Sequence, residues 1–313
     1  MKHRTLILAA TTTAMAIAVF APATPAVVEP AAAESTTVGI AGWLGDPSVT
    51  VIPDVQYGTA GDGSPLLLDV CSPAVDEDTE PLPAVLEVHG GGWSRGDKAE
   101  PTWRATCEWL ASEGFVTINV NYRLAPAATF PAAIDDVTQA LRWLRDPVTV
   151  AQYGIDPERI GAFGGSAGGN LAALLGTRGS GSTTTGDRIA AVASVSAPMD
   201  LTAHGRTLGD LPPWLVAREL SYLGCVDFDD CPAAEDASPV HQVDPTDPPV
   251  LVAQSADEFI PQDMSREFAD ALASAGVEHR LELTEGAAHS TAALDEALRA
   301  TVSEFLRRHL SAD

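Results

Sequence analysis

Apolar positions along the chain recur with two alternating periods. Residues 49–55 and 66–70 are β-rich runs on either side of Gly61-Asp62-Gly63, which predicts a β-hairpin. Residues 83–89 form an apolar run bounded by Pro and Gly, the pattern of a strand buried on both faces. The spacing turns helical over 104–112, where Cys107, Leu110 and Ala111 recur, and stops at Gly114. Strand character returns at 115–121, and helical spacing at 132–144 with Val137, Leu141 and Leu144 on one side. The alternation continues with strands at 159–164, 189–196, 249–254 and 278–283 and helices at 167–175, 262–275 and 291–310. Such an order predicts an α/β fold, a mostly parallel central sheet with helices on both faces.

Two stretches interrupt the rhythm. Residues 178–187 are rich in Gly, Ser and Thr and read as a surface loop. Residues 199–247 are long, Pro-rich and acidic, and are expected to form a small insertion over one end of the sheet. At the start of the chain, Lys2, His3 and Arg4 precede an uncharged apolar run over 6–20, too short to span a bilayer comfortably. Small residues follow at Ala21-Pro22-Ala23, at Ala26 and at Ala31-Ala32-Ala33. This order predicts a secretory signal peptide over 1–26, with cleavage near Ala23, Ala26 or Ala33. Residues 27–45, Pro/Ala/Thr-rich and without a period, are expected as a flexible arm, leaving 46–313 as one domain. The mature protein is then expected to be extracellular and without a membrane anchor.

Composition narrows the partners. The 313 residues carry 43 Asp+Glu against 18 Lys+Arg, a formal net charge of -25, and Lys98 is the one lysine beyond Lys2. Loss of Lys2 and Arg4 with the leader deepens the charge to -27. A surface that binds nucleic acid needs Lys and Arg to displace counterions, so nucleic acid is excluded as a partner. Export also bears on the cysteines, because an oxidising space favours disulfides. Of the three connectivities open to four cysteines, the expected one pairs Cys71 with Cys107 and Cys225 with Cys231, the second pair being close in sequence. No spacing typical of a zinc site accompanies them.

The chemistry gathers at strand ends. Gly164-Gly165-Ser166-Ala167-Gly168 is a G-x-S-x-G placed between an apolar strand and an Ala/Leu-rich helix. A chain reversing that tightly presents the Ser166 hydroxyl at a helix N-terminus, where amides favour developing negative charge. His89-Gly90-Gly91-Gly92-Trp93 directly follows the strand at 83–89. Glycines leave their amides unshielded, and an HGGG-type loop is a known oxyanion element of lipases and esterases. The amides of Gly91, Gly92 and Ala167 are therefore the expected oxyanion hole, with His89 structural. A serine alcohol needs a base and the base needs an orienting carboxylate. His289, in a small-residue loop between the last strand and the last helix, is the expected base, ahead of His204, His241, His279 and His309. Asp257, in the turn after the strand at 249–254, is the expected acid, with Glu258 as the runner-up.

These segments resemble the α/β-hydrolase superfamily, specifically the feruloyl-esterase-like (BD-FAE) group and the hormone-sensitive-lipase-like esterases. The likeness runs from about Asp54 to His309. Its further carriers are Gly96-Asp97, Asn121-Tyr122-Arg123-Leu124-Ala125-Pro126, Phe130-Pro131-Ala132-Ala133, Asp135-Asp136 and Asp156-Pro157-Glu158-Arg159-Ile160. Trp93 after the glycines and Asp257-Glu258-Phe259-Ile260-Pro261 favour the first group. The resemblance implies Ser166 as nucleophile, Asp257 as acid and His289 as base. One departure stands out: Ala253-Gln254 occupies the place where relatives often carry His-Gly.

The expectation is a secreted serine hydrolase of carboxylic esters, short-chain or carbohydrate-linked, working through an acyl-enzyme with no metal and no organic cofactor. Trp93, Trp214 and the region 211–223 are expected on the substrate-facing wall. A serine peptidase of the same fold and a non-catalytic binding protein are the alternatives, and acyl or alcohol preference and oligomeric state are left open by the sequence.

Overall fold

A computed structural model describes residues 40–74 and 79–311. The proposed leader and most of the proposed arm lie outside the described residues. Eight strands form one sheet in the order β1-β2-β4-β3-β5-β6-β7-β8. The hairpin pairs β1 (Val49–Thr59) with β2 (Pro65–Pro73) antiparallel, and β2 also runs antiparallel to β4 (Val116–Val120). From β4 through β3 (Leu82–Val88), β5 (Ile155–Gly165), β6 (Ala191–Val195), β7 (Val250–Ser255) and β8 (His279–Thr284) every pairing is parallel. β4, β6 and β7 are buried at every residue, and the polar side chains they carry, among them Thr117, Asn119, Ser194 and Gln254, are buried with them.

Helices cover both faces. On one side α1 (Pro101–Ser112) and α8 (Glu296–Leu310) bury Trp103, Trp109, Leu110, Leu298, Val302 and Leu306 against the sheet. On the other side α2 (Ala132–Leu144) and α4 (Ala167–Thr177) contribute Ile134, Val137, Leu141, Leu171 and Leu174 to the larger core, with Phe268 and Leu272 of α7 (Gln262–Ala275). The short α3 (Pro147–Tyr153) precedes β5; its signals, the cap Asp146 accepting from the Val148 amide and Gly154 in the left-handed conformation, are local and easily passed over. The strand order is that of the α/β-hydrolase fold, as the family resemblance implies. The insertion between β6 and β7 holds α5 (Pro213–Leu223) and α6 (Ala233–Asp236). No helix among the described residues is long and apolar enough to cross a membrane.

Two boundaries differ from expectation. Residues 40–45 are not a free arm. Ile40–Trp43 form a 3-10 turn with Ile40 buried against α1, and the amides of Gly45 and Asp46 both donate to the Glu108 carboxylate, the latter at 3.0 Å. The last helix begins at Glu296, capped by Asp295, and Ser290–Ala293 form a separate 3-10 turn. That break keeps the His289 loop out of the helix. Both disulfides form as expected, Cys71 of β2 to Cys107 of α1 and Cys225 to Cys231 after α5.

Charges inside the sheet edge are paired around one carboxylate. Asp69 of β2 is fully buried and lies 2.7 Å from Lys98 Nζ, with Arg104 also bonded to it; Lys98 reaches Asp54 at 2.7 Å as well. Removing one member of such a cluster leaves a desolvated charge without its partner. Asp69→Ala is expected to lower the unfolding free energy by about 3–5 kcal/mol. The exposed pair Arg142–Asp187 should contribute under about 1 kcal/mol, read from Arg142→Ala. Denaturant titration of the two variants checks the contrast.

Candidate active site

The nucleophile position is set by packing of backbone against backbone. β5 ends at Gly165 and α4 begins at Ala167, so Ser166 must turn the chain in a single residue; its φ of 58° and ψ of -126° are strained for a residue with a side chain. Glycine is obligatory on both sides. A Cβ on Gly164 would lie 2.2 Å from the Gly168 carbonyl oxygen, and one on Gly168 would lie 2.0 Å from the Val88 carbonyl oxygen. The Ser166 amide donates to the Val195 carbonyl at 2.8 Å, which fixes the elbow to the end of β6.

The glycine loop after β3 passes beside this elbow. A Cβ on Gly90 would come within 3.1 Å of the Ser166 Cβ. Gly91 (φ 128°) and Gly92 (φ 62°) follow in conformations that L side chains avoid. Neither of their amides donates to an acceptor among the described residues. Ala167, first residue of α4, has no intrahelical acceptor for its amide. Gly91 and Gly92 line the cavity that holds Ser166, and Ala167 follows Ser166 directly in the chain. The glycine loop is braced from below. The Lys98 amide donates to Asn121 Oδ1 at 2.7 Å, Asn119 Nδ2 to the Lys98 carbonyl at 2.8 Å, and Asn121 Nδ2 to Asp97 Oδ2 at 2.9 Å. His89 is buried, stacks on Tyr122 with centroids 4.4 Å apart, and accepts the Tyr122 hydroxyl on its carbonyl at 2.9 Å. Burial holds its pKa below the ordinary histidine value, so the ring is neutral and its place is structural.

His289 lies on the same cavity as Ser166, a cleft of about 540 Å³ whose wall also includes Gly90, Gly91 and Gly92. The loop that carries it is tied down at three points. The Asp257 amide donates to the Gly286 carbonyl at 2.9 Å, Ser255 Oγ to the Ala288 carbonyl at 2.6 Å, and the Ser290 amide to Ser196 Oγ at 2.9 Å.

The acid is where expectation and structure part. Glu258, not Asp257, meets the imidazole: His289 Nδ1 is bonded to Glu258 Oε2, and the Glu258 side chain is fully buried. Asp257 is exposed, its amide donates to the Gly286 carbonyl, and its carboxylate makes no bond to the ring. The reason lies in the turn that follows β7. Gln254 is buried, donates to the Ile260 carbonyl and accepts Ser265 Oγ, clamping 254–260 to α7 and turning the second acid inward. Gln254 is the very residue that departs from the His-Gly of relatives, and its bracing role was visible only as a departure in the sequence.

The substrate-facing wall also needs revision. Trp93 is 1% exposed and stacks on Tyr222 with centroids 4.6 Å apart; it is core, not wall. Trp214 of α5 does line the cavity, together with Leu215 and Arg218 of the same helix, so the insertion roofs the site as expected. Sequence reading missed Phe259, Trp103 and Arg95 as wall residues, and included Arg218 only within the region 211–223. Phe259 packs on the His289 ring at 4.2 Å and on Trp214 at 5.1 Å. Its signal was its place beside the acid. The others carry none that periodicity would reveal.

A nucleophile elbow, a glycine-rich amide loop and a histidine backed by a buried carboxylate, all at the carboxyl ends of the strands, define a serine hydrolase site of the α/β-hydrolase class. The BD-FAE family model matches residues 68–272, and the chain belongs to that family. Over short segments it is similar to arylacetamide deacetylase from Bos taurus (47% identical over 89 residues, 28% of this chain and 22% of that protein) and to carboxylesterase NlhH from Mycobacterium tuberculosis (44% over 96 residues, 30% and 28%). The aligned stretch thus spans under a third of either relative. Among solved structures, a bacterial heroin esterase superposes with a TM-score of 0.71 at 29% identity, covering 87% of this chain and 89% of that one.

The exchange of acids is directly measurable. Glu258→Gln should slow reaction of Ser166 with a fluorophosphonate by about 100-fold or more, since the imidazole loses its orienting charge. Asp257→Asn should stay within about threefold of the parent. Labelling rates followed by intact-mass spectrometry decide which carboxylate serves the histidine.

Proposed function

We propose that the protein is a secreted serine esterase that cleaves carboxylic esters through an acyl-enzyme. The observation that carries this reading is the shared cavity: the strained Ser166 and His289 both open onto it, and Glu258 occupies the Nδ1 side of the imidazole. Nε2 is then the nitrogen left to take the serine proton.

The steps follow from those positions. Ser166 Oγ attacks the ester carbonyl carbon, a C–O bond forms, and the hydroxyl proton passes to His289 Nε2. Charge that develops on the carbonyl oxygen is met by the amides of Gly91, Gly92 and Ala167, donors of a kind worth about 3–4 kcal/mol in acyl transfer. Glu258 stabilises the imidazolium. The bond to the alcohol oxygen breaks, and His289 returns the proton to the leaving alkoxide. Water, deprotonated by the same imidazole, then attacks the acyl-enzyme and releases the acid and free Ser166. No step calls for a metal or an organic cofactor. The names of the similar proteins, an arylacetamide deacetylase, a carboxylesterase and a heroin esterase, agree in acyl-transfer chemistry and support the reading.

Ser166→Ala should lower turnover of p-nitrophenyl acetate by at least about 1,000-fold with an unchanged circular dichroism spectrum. Retention of turnover in a pure preparation would overturn Ser166 as the nucleophile, inactivity of the parent toward the ester would overturn the esterase reading, and preferential cleavage of a peptide panel would replace it with a peptidase.

The basic start, the short apolar run and the small residues near Ala23 support export. Expressed with its own N-terminus in a secreting host, the protein should appear in the medium beginning after Ala23, Ala26 or Ala33. N-terminal mass spectrometry reads the site, and retention of Met1 in the cell would refute it.

A further inference from the structure

The protein is strongly acidic, with a net charge of -25, yet two guanidinium groups face the cavity that holds Ser166. Arg95 belongs to the glycine-rich loop after β3, and Arg218 stands on α5 in the insertion. Neither has an ion pair or a hydrogen bond among the described residues, whereas Lys98 and every other described arginine bond to a carboxylate or a carbonyl.

Their placement is close to the reacting centre. A Cβ on Gly92 would lie 2.7 Å from Arg218 Cδ, and one on Gly91 would lie 3.2 Å from Arg95 Cγ, so the two side chains flank the two expected oxyanion glycines. Arg218 packs over the Trp214 ring, 5.0 Å from its centroid, which limits how far it can swing away. Partial burial and the nearby charge of Arg95 both hold the Arg218 pKa below the ordinary guanidinium range. Arg95 is exposed and Arg218 half-buried, so both guanidinium groups are open to an incoming anion. Glu100 is the one acid on the cavity wall, and it forms no ion pair with either arginine. With two cations and one anion, the wall carries a single excess positive charge, which suits a monoanion better than a phosphate dianion.

We infer that the Arg95–Arg218 pair is a subsite for a carboxylate carried by the substrate, so that the preferred esters bear a carboxylate near the scissile bond. The inference rests on the esterase reading for the identity of that bond. A planar carboxylate matches the guanidinium fork, and charge-assisted hydrogen bonds in a sheltered cleft are among the stronger polar contacts. A carboxylate on either side of the ester could reach the pair, and matched substrates separate the two.

The test compares kcat/KM for monomethyl glutarate against methyl butanoate, and for 4-acetoxybenzoate against 4-acetoxybenzamide, at low and at high salt. At least one carboxylate-bearing ester should exceed its neutral partner by about tenfold or more at low salt, with the ratio shrinking as salt screens the contact. In Arg95→Gln/Arg218→Gln that ratio should fall to about one, while Arg218→Lys should keep part of it. A neutral preference in both pairs, or a ratio that survives the double Gln variant with an unchanged melting temperature, overturns the subsite. Inactivity of the parent protein toward all four esters would fault the esterase reading instead. In that case calorimetry of glutarate binding to Ser166→Ala still judges the arginine pair: binding weakened by the double Gln substitution supports it, and no binding by the parent pair refutes it.

Discussion

The active site depends on one close approach, that of the first turn of α4 to the end of β3. The Gly168 α-carbon sits where a single added carbon would meet the Val88 carbonyl oxygen at 2.0 Å and the His89 oxygen at 2.6 Å. Because that space is closed, the chain can leave β5 only by turning at Ser166, and the turn forces the serine into a positive φ with its side chain at the cleft. The same contact brings the Gly90–Gly92 loop alongside the nucleophile, since that loop continues directly from β3. Nucleophile and amide donors are thus set by one packing event.

What the elbow orients, polar clamps hold rigid. Lys98 is tied through its side chain to Asp69 and Asp54 and through its backbone to Asn119 and Asn121, so the glycine loop rests on a buried charge cluster instead of on apolar packing. The histidine loop is held in the same manner by Ser196, Ser255 and the Asp257 amide. Both sets of clamps sit beneath backbone that has no regular hydrogen-bonding partners of its own, which is where such bonds count most. The outer wall is different in kind. It is built by α5 from the insertion and by Phe259, with Trp214 about half exposed, and it can change without disturbing the elbow.

Charge acts on two scales. The molecule as a whole is strongly acidic, with a formal net charge of -25. The cavity wall has the opposite balance, because Arg95 and Arg218 line it without ion-pair partners among the described residues and Glu100 is the one acid beside them. Net charge alone argued against polyanionic partners such as nucleic acid. Only for large polyanions, which contact the whole surface, does that conclusion follow.

The sequence by itself determined the layered α/β architecture, the elbow at Ser166, the glycine loop and the histidine-bearing loop. Each is written in local pattern: apolar runs of strand length, glycines where side chains cannot fit, small residues where a loop must turn. Tertiary structure alone decided which of two adjacent acids faces His289, that Trp93 belongs to the core, that Gly45 and Asp46 dock on Glu108, and that two arginines line one cleft. These depend on side-chain direction and on contacts between segments distant in the chain. Asp257 and Glu258 are neighbours with the same charge, and a one-residue difference in which carboxylate turns inward is settled by Gln254 gripping Ile260 and Ser265. Arg95 and Arg218 are separated by the whole of the sheet's centre in sequence, and no spacing rule could place them together. Local patterns carry backbone path, but a partner is chosen by whatever the rest of the fold brings within reach.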